Sequence, residues 1–267
     1  MRTMLIAKEA PTFGALKERI VTCGENKLSG KHIAQLIVVL LCALTLKQFY
    51  STANVNELRW VLAPTALLVE LVSGSRFQFE AYAGYINSDH SFLIAASCAG
   101  VNFLLTAFMM LSLGKLWRDR SRNVSWLFIP AAAVAAYVTT LIANTVRIAT
   151  ALRLRSVAVQ GWLDAQQLHR LEGILVYFGF LLLLFVVSQK MSYETGKRVA
   201  SRTIPGREFL FPLLIYYAVA LGIPIVTSLY RPGLAVNDLR QHLSFVVIVP
   251  PILILTFAIF AKSKRNA

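Results

Sequence analysis

Six apolar runs, each long enough to cross the hydrocarbon core of a bilayer, alternate with short stretches in which Lys and Arg collect. This pattern leaves the chain few ways to fold. The runs cover roughly 31–50, 91–113, 125–146, 171–189, 208–229 and 244–262, and a spanning helix needs about 20 apolar residues. Composition agrees: 57% of the 267 residues are hydrophobic and 15% are charged, where a soluble domain carries about 25% charged residues. The net charge of +14 sits between the apolar runs rather than on one soluble face. No basic arm with interleaved aromatics occurs, so nucleic acid is not an expected partner.

Charge bias sets the threading. The stretch after the second run holds Lys115, Arg118, Arg120 and Arg122 against Asp119. The stretch 189–207 holds Lys190, Lys197, Arg198, Arg202 and Arg207 against Glu194, and the tail carries Lys262, Lys264 and Arg265. Short basic loops stay on the cytoplasmic side. The first 30 residues, with Lys8, Lys17, Arg19 and Lys27 and no early apolar core, read as a cytoplasmic extension and not as a cleaved signal peptide. Six spans with both termini inside place all four basic segments together.

A further run, roughly 58–75, contains Arg59, Pro64 and Glu70. A charge at mid-bilayer costs about 2.5–3.5 kcal/mol on insertion scales, and a span here would move the N-terminus to the opposite side. The run is therefore expected as an interfacial or re-entrant helix on the outer face; seven plain spans with the N-terminus outside are the alternative. Phe77 to Ile86 roughly alternates and precedes Asn87-Ser88-Asp89, which predicts a strand and tight turn. The expected fold is an all-α polytopic membrane protein with about six transmembrane helices, an interfacial helix and a small outer hairpin. Residues 1–30 form the cytoplasmic extension, and 31–190 a membrane core with an outer cap at 51–90. Residues 191–267 supply two C-terminal transmembrane helices, hinged at Pro205-Gly206.

Three cysteines, Cys23, Cys42 and Cys98, make an odd count without regular spacing, so no disulfide framework is expected. No CxxC or Cys/His cluster of metal-ligand type occurs, and neither a metal nor another cofactor is expected. Three polar residues near the outer ends of different spans form a nucleophilic set. Cys98, in Ser97-Cys98-Ala99-Gly100-Val101-Asn102, lies about seven residues into the second span, roughly 10 Å below its outer edge. Asn102 would share its helix face, and Ala99 and Gly100 would admit a close neighbour. Arg147 ends the third span one turn after Asn144, as a fixed cation for a developing oxyanion. His169 opens the fourth span in Leu168-His169-Arg170-Leu171-Glu172-Gly173 and can relay protons for a thiol; His90 is the competing base. Each also has a plain reading: a small apolar residue for Cys98, as for Cys42 and Cys23, a headgroup-facing cation for Arg147, a polar anchor for His169. Arg153 and Arg155 face headgroups, and Arg170 and Glu172 pair or face water.

These motifs resemble the exosortase/archaeosortase family of polytopic membrane transpeptidases. Ser97-Cys98-Ala99-Gly100-Val101 is similar to the family's CSG-type motif, with Ala99 where many members have Ser. Asn144-Thr145-Val146-Arg147-Ile148 is similar to N-x-x-R-[IV], and His169 is followed by Gly173. The resemblance covers about residues 35–190; the helices at 208–262, with Pro64-Thr-Ala-Leu-Leu-Val-Glu70, point to the exosortase K subgroup. It implies a sorting reaction at the outer face of the plasma membrane. The substrate would be an exported protein whose C-terminal tail has a short motif, an apolar helix and a basic end. The resemblance further implies Cys98 as nucleophile, Arg147 as oxyanion partner and His169 as acid and base, with a lipid or envelope amine, or water, as acceptor. A non-enzymatic transporter or scaffold is the alternative. The spans hold few polar residues and no paired acidic residues for ion coupling, and neither an HExxH set nor a GxSxG elbow occurs.

Overall fold

The structure, a computed structural model, describes residues 29–120, 123–156, 165–194, 209–222 and 246–256, without the side chains of 155–156, 165–169 and 192–194. Helix α1 spans Gly30–Thr52, α2 Arg59–Ser73, α3 Val101–Arg118, α4 Phe128–Ser156, α5 Ala165–Glu194, α6 Leu210–Ala220 and α7 Val246–Thr256. Between α2 and α3 lie strands β1 Phe77–Glu80, β2 Gly84–Asn87 and β3 Leu93–Ile94, then a 3-10 turn, Ala96–Ala99. Four segments among the described residues are long and apolar enough to cross a membrane: Gly30–Thr52, Ala96–Arg118, Phe128–Leu154 and Arg170–Met191. They coincide with the first four expected spans. The fifth and sixth appear as α6 and α7, shorter than a span; the rest of both runs lies outside the described residues, as do residues 1–28 of the extension and Pro205-Gly206.

Helix α3 is the hub, packing on α1, α4, α5 and α6. Its apolar window is 61% buried, against 17% for α1, whose Leu41 and Leu44 look outward. Phe103, Leu104, Ala107, Phe108 and Met110 of α3 meet Ala132, Ala136 and Ala143 of α4 and Phe178, Leu181, Leu182 and Phe185 of α5. The alanines let two backbones approach, the usual means of packing helices where lipid removes the hydrophobic drive between them.

The four long helices run alternately up and down, as the contacts at their ends show. At one end His32 of α1 donates through Nε2 to the Asp119 carbonyl (3.2 Å) and Gln35 Nε2 donates to the Val124 carbonyl (3.0 Å). Arg118 there donates to the Ser188 carbonyl (3.3 Å) and Gln189 Oε1 (3.0 Å) of α5. The opposite end gathers Tyr50, Asn102, Arg147 and Gly173, one residue from each of the four helices.

The stretch 58–75 forms a 15-residue helix, about 22 Å long at 1.5 Å per residue and too short to span. One face, Val61, Leu62, Thr65, Ala66 and Val69, is buried, while Leu67 and Leu71 are exposed. Pro64 has no N–H, so the Trp60 carbonyl lacks its helical donor; the Tyr137 hydroxyl donates to it instead at 2.7 Å. Gly74 (φ 73°) ends the helix in the left-handed conformation. Glu70 Oε1 then accepts from the Phe77 N–H at 2.5 Å, which starts β1.

The expected strand over 77–86 is instead a three-stranded antiparallel sheet, ordered β1-β2-β3, turning at Ala81–Ala83. Phe79 pairs with Tyr85, their rings 5.1 Å apart, and Tyr85 pairs with Ile94. Gly84 (φ 132°) is required there, because a Cβ would collide with the Ile94 carbonyl. The sheet and α2 share a second core, in which Leu58, Leu62, Val69, Ile94, Ala99, Val101 and Ile148 are buried.

Candidate active site

Cys98 does not lie inside a helix. It occupies the 3-10 turn Ala96–Ala99, whose end is Gly100 in the left-handed conformation (φ 69°), and α3 begins only at Val101. The hydropathy is continuous through this break, and for that reason the sequence places Cys98 and Asn102 on one helical face when they are not. The Cys98 side chain is half-buried and packs on the second core. Its backbone is tied twice: the N–H donates to the Ala95 carbonyl (2.9 Å), and the carbonyl accepts from Asn144 Nδ2 (2.5 Å).

Arg147 stands on α4, more than two turns before its end, not at the terminus of the span. Nothing between Arg147 and Ser156 breaks a helix, so the backbone ladder continues past the charge. Its Nη1 donates to the Tyr177 hydroxyl at 2.7 Å, the guanidinium lies 5.4 Å from the Tyr177 ring centre, and Cδ and Nε run along Gly173. The Tyr177 hydroxyl in turn donates to Asn144 Oδ1 at 2.9 Å. Arg147 is within electrostatic reach of Cys98 and of Glu172, which is buried rather than turned to water.

Gly100 makes this convergence possible. A Cβ there would come within 3.3 Å of Thr140 Cγ2 and of the Tyr177 hydroxyl, and 3.4 Å of Asn144 Cγ. Thr140, Asn144 and Arg147 share one face of α4 by their spacing.

His169 lies in the first turns of α5, one turn before Gly173, and its side chain is outside the described residues. His90 is exposed in the turn after β2, with φ 54°, and does not line the cavity described next. Arg153 is exposed, and Arg155 is outside the described side chains.

A cavity of about 330 Å³ opens beside the cysteine turn. Ser97, Asn102, Arg147, Arg170 and Tyr177 are among its polar lining residues, and Phe103, Ile174, Tyr216, Val219 and Val246 among the apolar ones. Cys98 itself is not among the lining residues; Ser97 before it and Gly100 after it are. Helices α6 and α7 thus help to build the site, beyond the stretch that carries the sequence resemblance. No group of three or more His, Cys, Asp or Glu residues able to hold a metal occurs among the described residues.

Tyr177 is the site residue that sequence reasoning missed. Within Leu175-Val176-Tyr177-Phe178 it looks like one more apolar position. The available signal is its distance of eight residues from His169 and four from Gly173, which is helical spacing on one face.

Fold and site together define a class, a helical membrane protein with a cysteine turn and a hydrogen-bonded, half-buried arginine at one end of its bundle. Comparison of the chain with protein-family models, curated proteins and solved structures returns no match.

Proposed function

We propose that the chain is a membrane-embedded cysteine transpeptidase of the exosortase kind, with six spans and both termini cytoplasmic. Its site would face outward from the plasma membrane. The observation that carries this reading is the junction of Arg147 and the Cys98 turn beside one cavity, through Asn144 and Tyr177. A thiol and a fixed cation held within electrostatic reach, beside a cavity with polar and apolar lining residues, suit acyl transfer.

The substrate is an exported protein with a C-terminal recognition motif, one apolar helix and a basic end. The Cys98 thiolate attacks the scissile carbonyl and forms a tetrahedral oxyanion beside Arg147. Collapse breaks the C–N bond, His169 gives its proton to the leaving amine, and a thioester remains on Cys98. His169 then takes a proton from the acceptor, an envelope amine or water, which displaces the thiol. No metal or cofactor enters this scheme.

The test is processing of a co-expressed exported protein with such a tail, read as a mass shift, in cells carrying wild type, Cys98→Ala, Cys42→Ala or Arg147→Lys. Cys98→Ala abolishes the shift and Cys42→Ala leaves it. Arg147→Lys keeps the charge but not the fork, and slows the reaction by about 10²–10³-fold. Processing that persists without Cys98 would move the assignment to a transporter or scaffold.

A further inference from the structure

The hydrogen bonds around Tyr177 have only one possible polarity. A guanidinium has donors and no acceptor, so the Tyr177 oxygen must accept from Arg147. Its single proton therefore goes to Asn144, which fixes the Asn144 amide with oxygen toward Tyr177 and nitrogen toward Cys98. The Cys98 carbonyl, an acceptor only, closes the series. Each member uses the group that its neighbour needs, and chains of this kind reinforce one another in a low-dielectric setting.

The ring of Tyr177 is fixed independently of its hydroxyl. It stacks on Phe103 with centroids 5.1 Å apart and planes at 15°, and the Arg147 guanidinium lies over its face. Three helices are thereby joined: Tyr177 from α5, Asn144 and Arg147 from α4, and Phe103 from the first turn of α3, just after the cysteine turn. The alternative roles are weaker. An apolar filler would leave its hydroxyl unbonded, and a lipid-interface anchor would turn it outward.

We propose that Tyr177 is a positioning residue, which holds the Arg147 guanidinium and the Cys98 turn in one fixed relation through its hydroxyl. This rests on the transpeptidase reading for its effect on turnover, but not for its effect on the thiol. Tyr177 also lines the cavity, but its positioning role is exerted through Arg147 and Asn144 and not on the reacting carbonyl. It keeps the cation from swinging away toward headgroups and, through Asn144, keeps the turn against α4.

The experiment uses the full chain in lipid nanodiscs, with Cys23 and Cys42 changed to Ser so that Cys98 is the only thiol. The readout is the ratio of Cys98 alkylation rates by iodoacetate, an anion, and by iodoacetamide, its neutral analogue. A cation held beside the thiol favours the anion. Tyr177→Phe keeps the ring, its stack and its face toward Arg147, and removes only the hydroxyl. It is expected to lower the ratio about fivefold, toward the value of Arg147→Gln, and to lower the unfolding midpoint as well, because Arg147 and Asn144 each lose a partner. Phe103→Leu, which weakens the stack and spares the hydroxyl, lowers the midpoint and keeps the ratio.

With a processed substrate, Tyr177→Phe lowers kcat by about 10–100-fold at unchanged KM, the size expected from a misplacement near 1 Å. A wild-type ratio in Tyr177→Phe overturns the positioning role. If Tyr177→Phe does not fold, Asn144→Leu cuts the same series one link further and must lower the ratio in the same direction, or the proposal fails. Processing that survives Cys98→Ala overturns the transpeptidase reading alone, because the alkylation ratio still decides the role of Tyr177.

Discussion

The Asn144 side chain donates to the backbone carbonyl of Cys98 at 2.5 Å, so α4 grips the cysteine by its main chain and leaves the thiol out of the bond. The same amide accepts from Tyr177, so that Asn144 reaches both halves of this network.

Asn144→Leu is close in size and makes neither bond. The fully buried position would then oppose an unpaired carbonyl and an unpaired hydroxyl, at about 1–3 kcal/mol for each unsatisfied group. A fall in the unfolding midpoint in detergent, with a loss of processing larger than the loss of folded protein, is the expected pair of results. Equal losses would reduce Asn144 to a stability residue.

Gly100→Ala should harm the site more than the fold. A non-glycine residue at φ 69° costs about 1–2 kcal/mol, and the new methyl would press on Thr140, Asn144 and Tyr177. Gly179→Ala in α5 meets nothing within 4 Å and should be neutral or stabilising. Processing rates of the two variants, compared at matched protein levels, check this; wild-type turnover in Gly100→Ala would show that the approach is not tight.

These two positions also mark what the sequence could and could not reveal. The first four spans, the short helix between the first two of them and the meeting of Cys98 with Arg147 at one end were legible, because hydropathy and charge bias act over whole segments. The break at Gly100 was not, because a window average passes over one residue whose backbone turns left-handed. The extent of α4 beyond Arg147 was hidden for the converse reason: a charge ends an apolar run, yet it does not end a helix. The third strand has two residues and no periodicity to find. Tyr177 was concealed by company, since its neighbours are apolar and its hydrogen-bond partners, Arg147 and Asn144, lie 30 and 33 positions away on another helix.

Tyr137 and Pro64 offer a test of the cap independent of chemistry. Tyr137→Phe keeps the stack on Trp60, whose ring centre is 5.7 Å away, but strips the donor from the Trp60 carbonyl. A loss of about 1 kcal/mol is expected. Adding Pro64→Ala restores a helical N–H to that carbonyl and should recover most of it. Unfolding midpoints of the two single variants and the double variant give the coupling; strict additivity would mean that the hydroxyl was not standing in for the missing amide.

Between Ile94, the last residue of β3, and Cys98 there are only Ala95, Ala96 and Ser97. The edge of the sheet is thus joined to Cys98 by a three-residue link. A shift of β3 therefore carries the Cys98 turn with it, whereas the helical part of the cap rests directly on α4 through Trp60 and Tyr137.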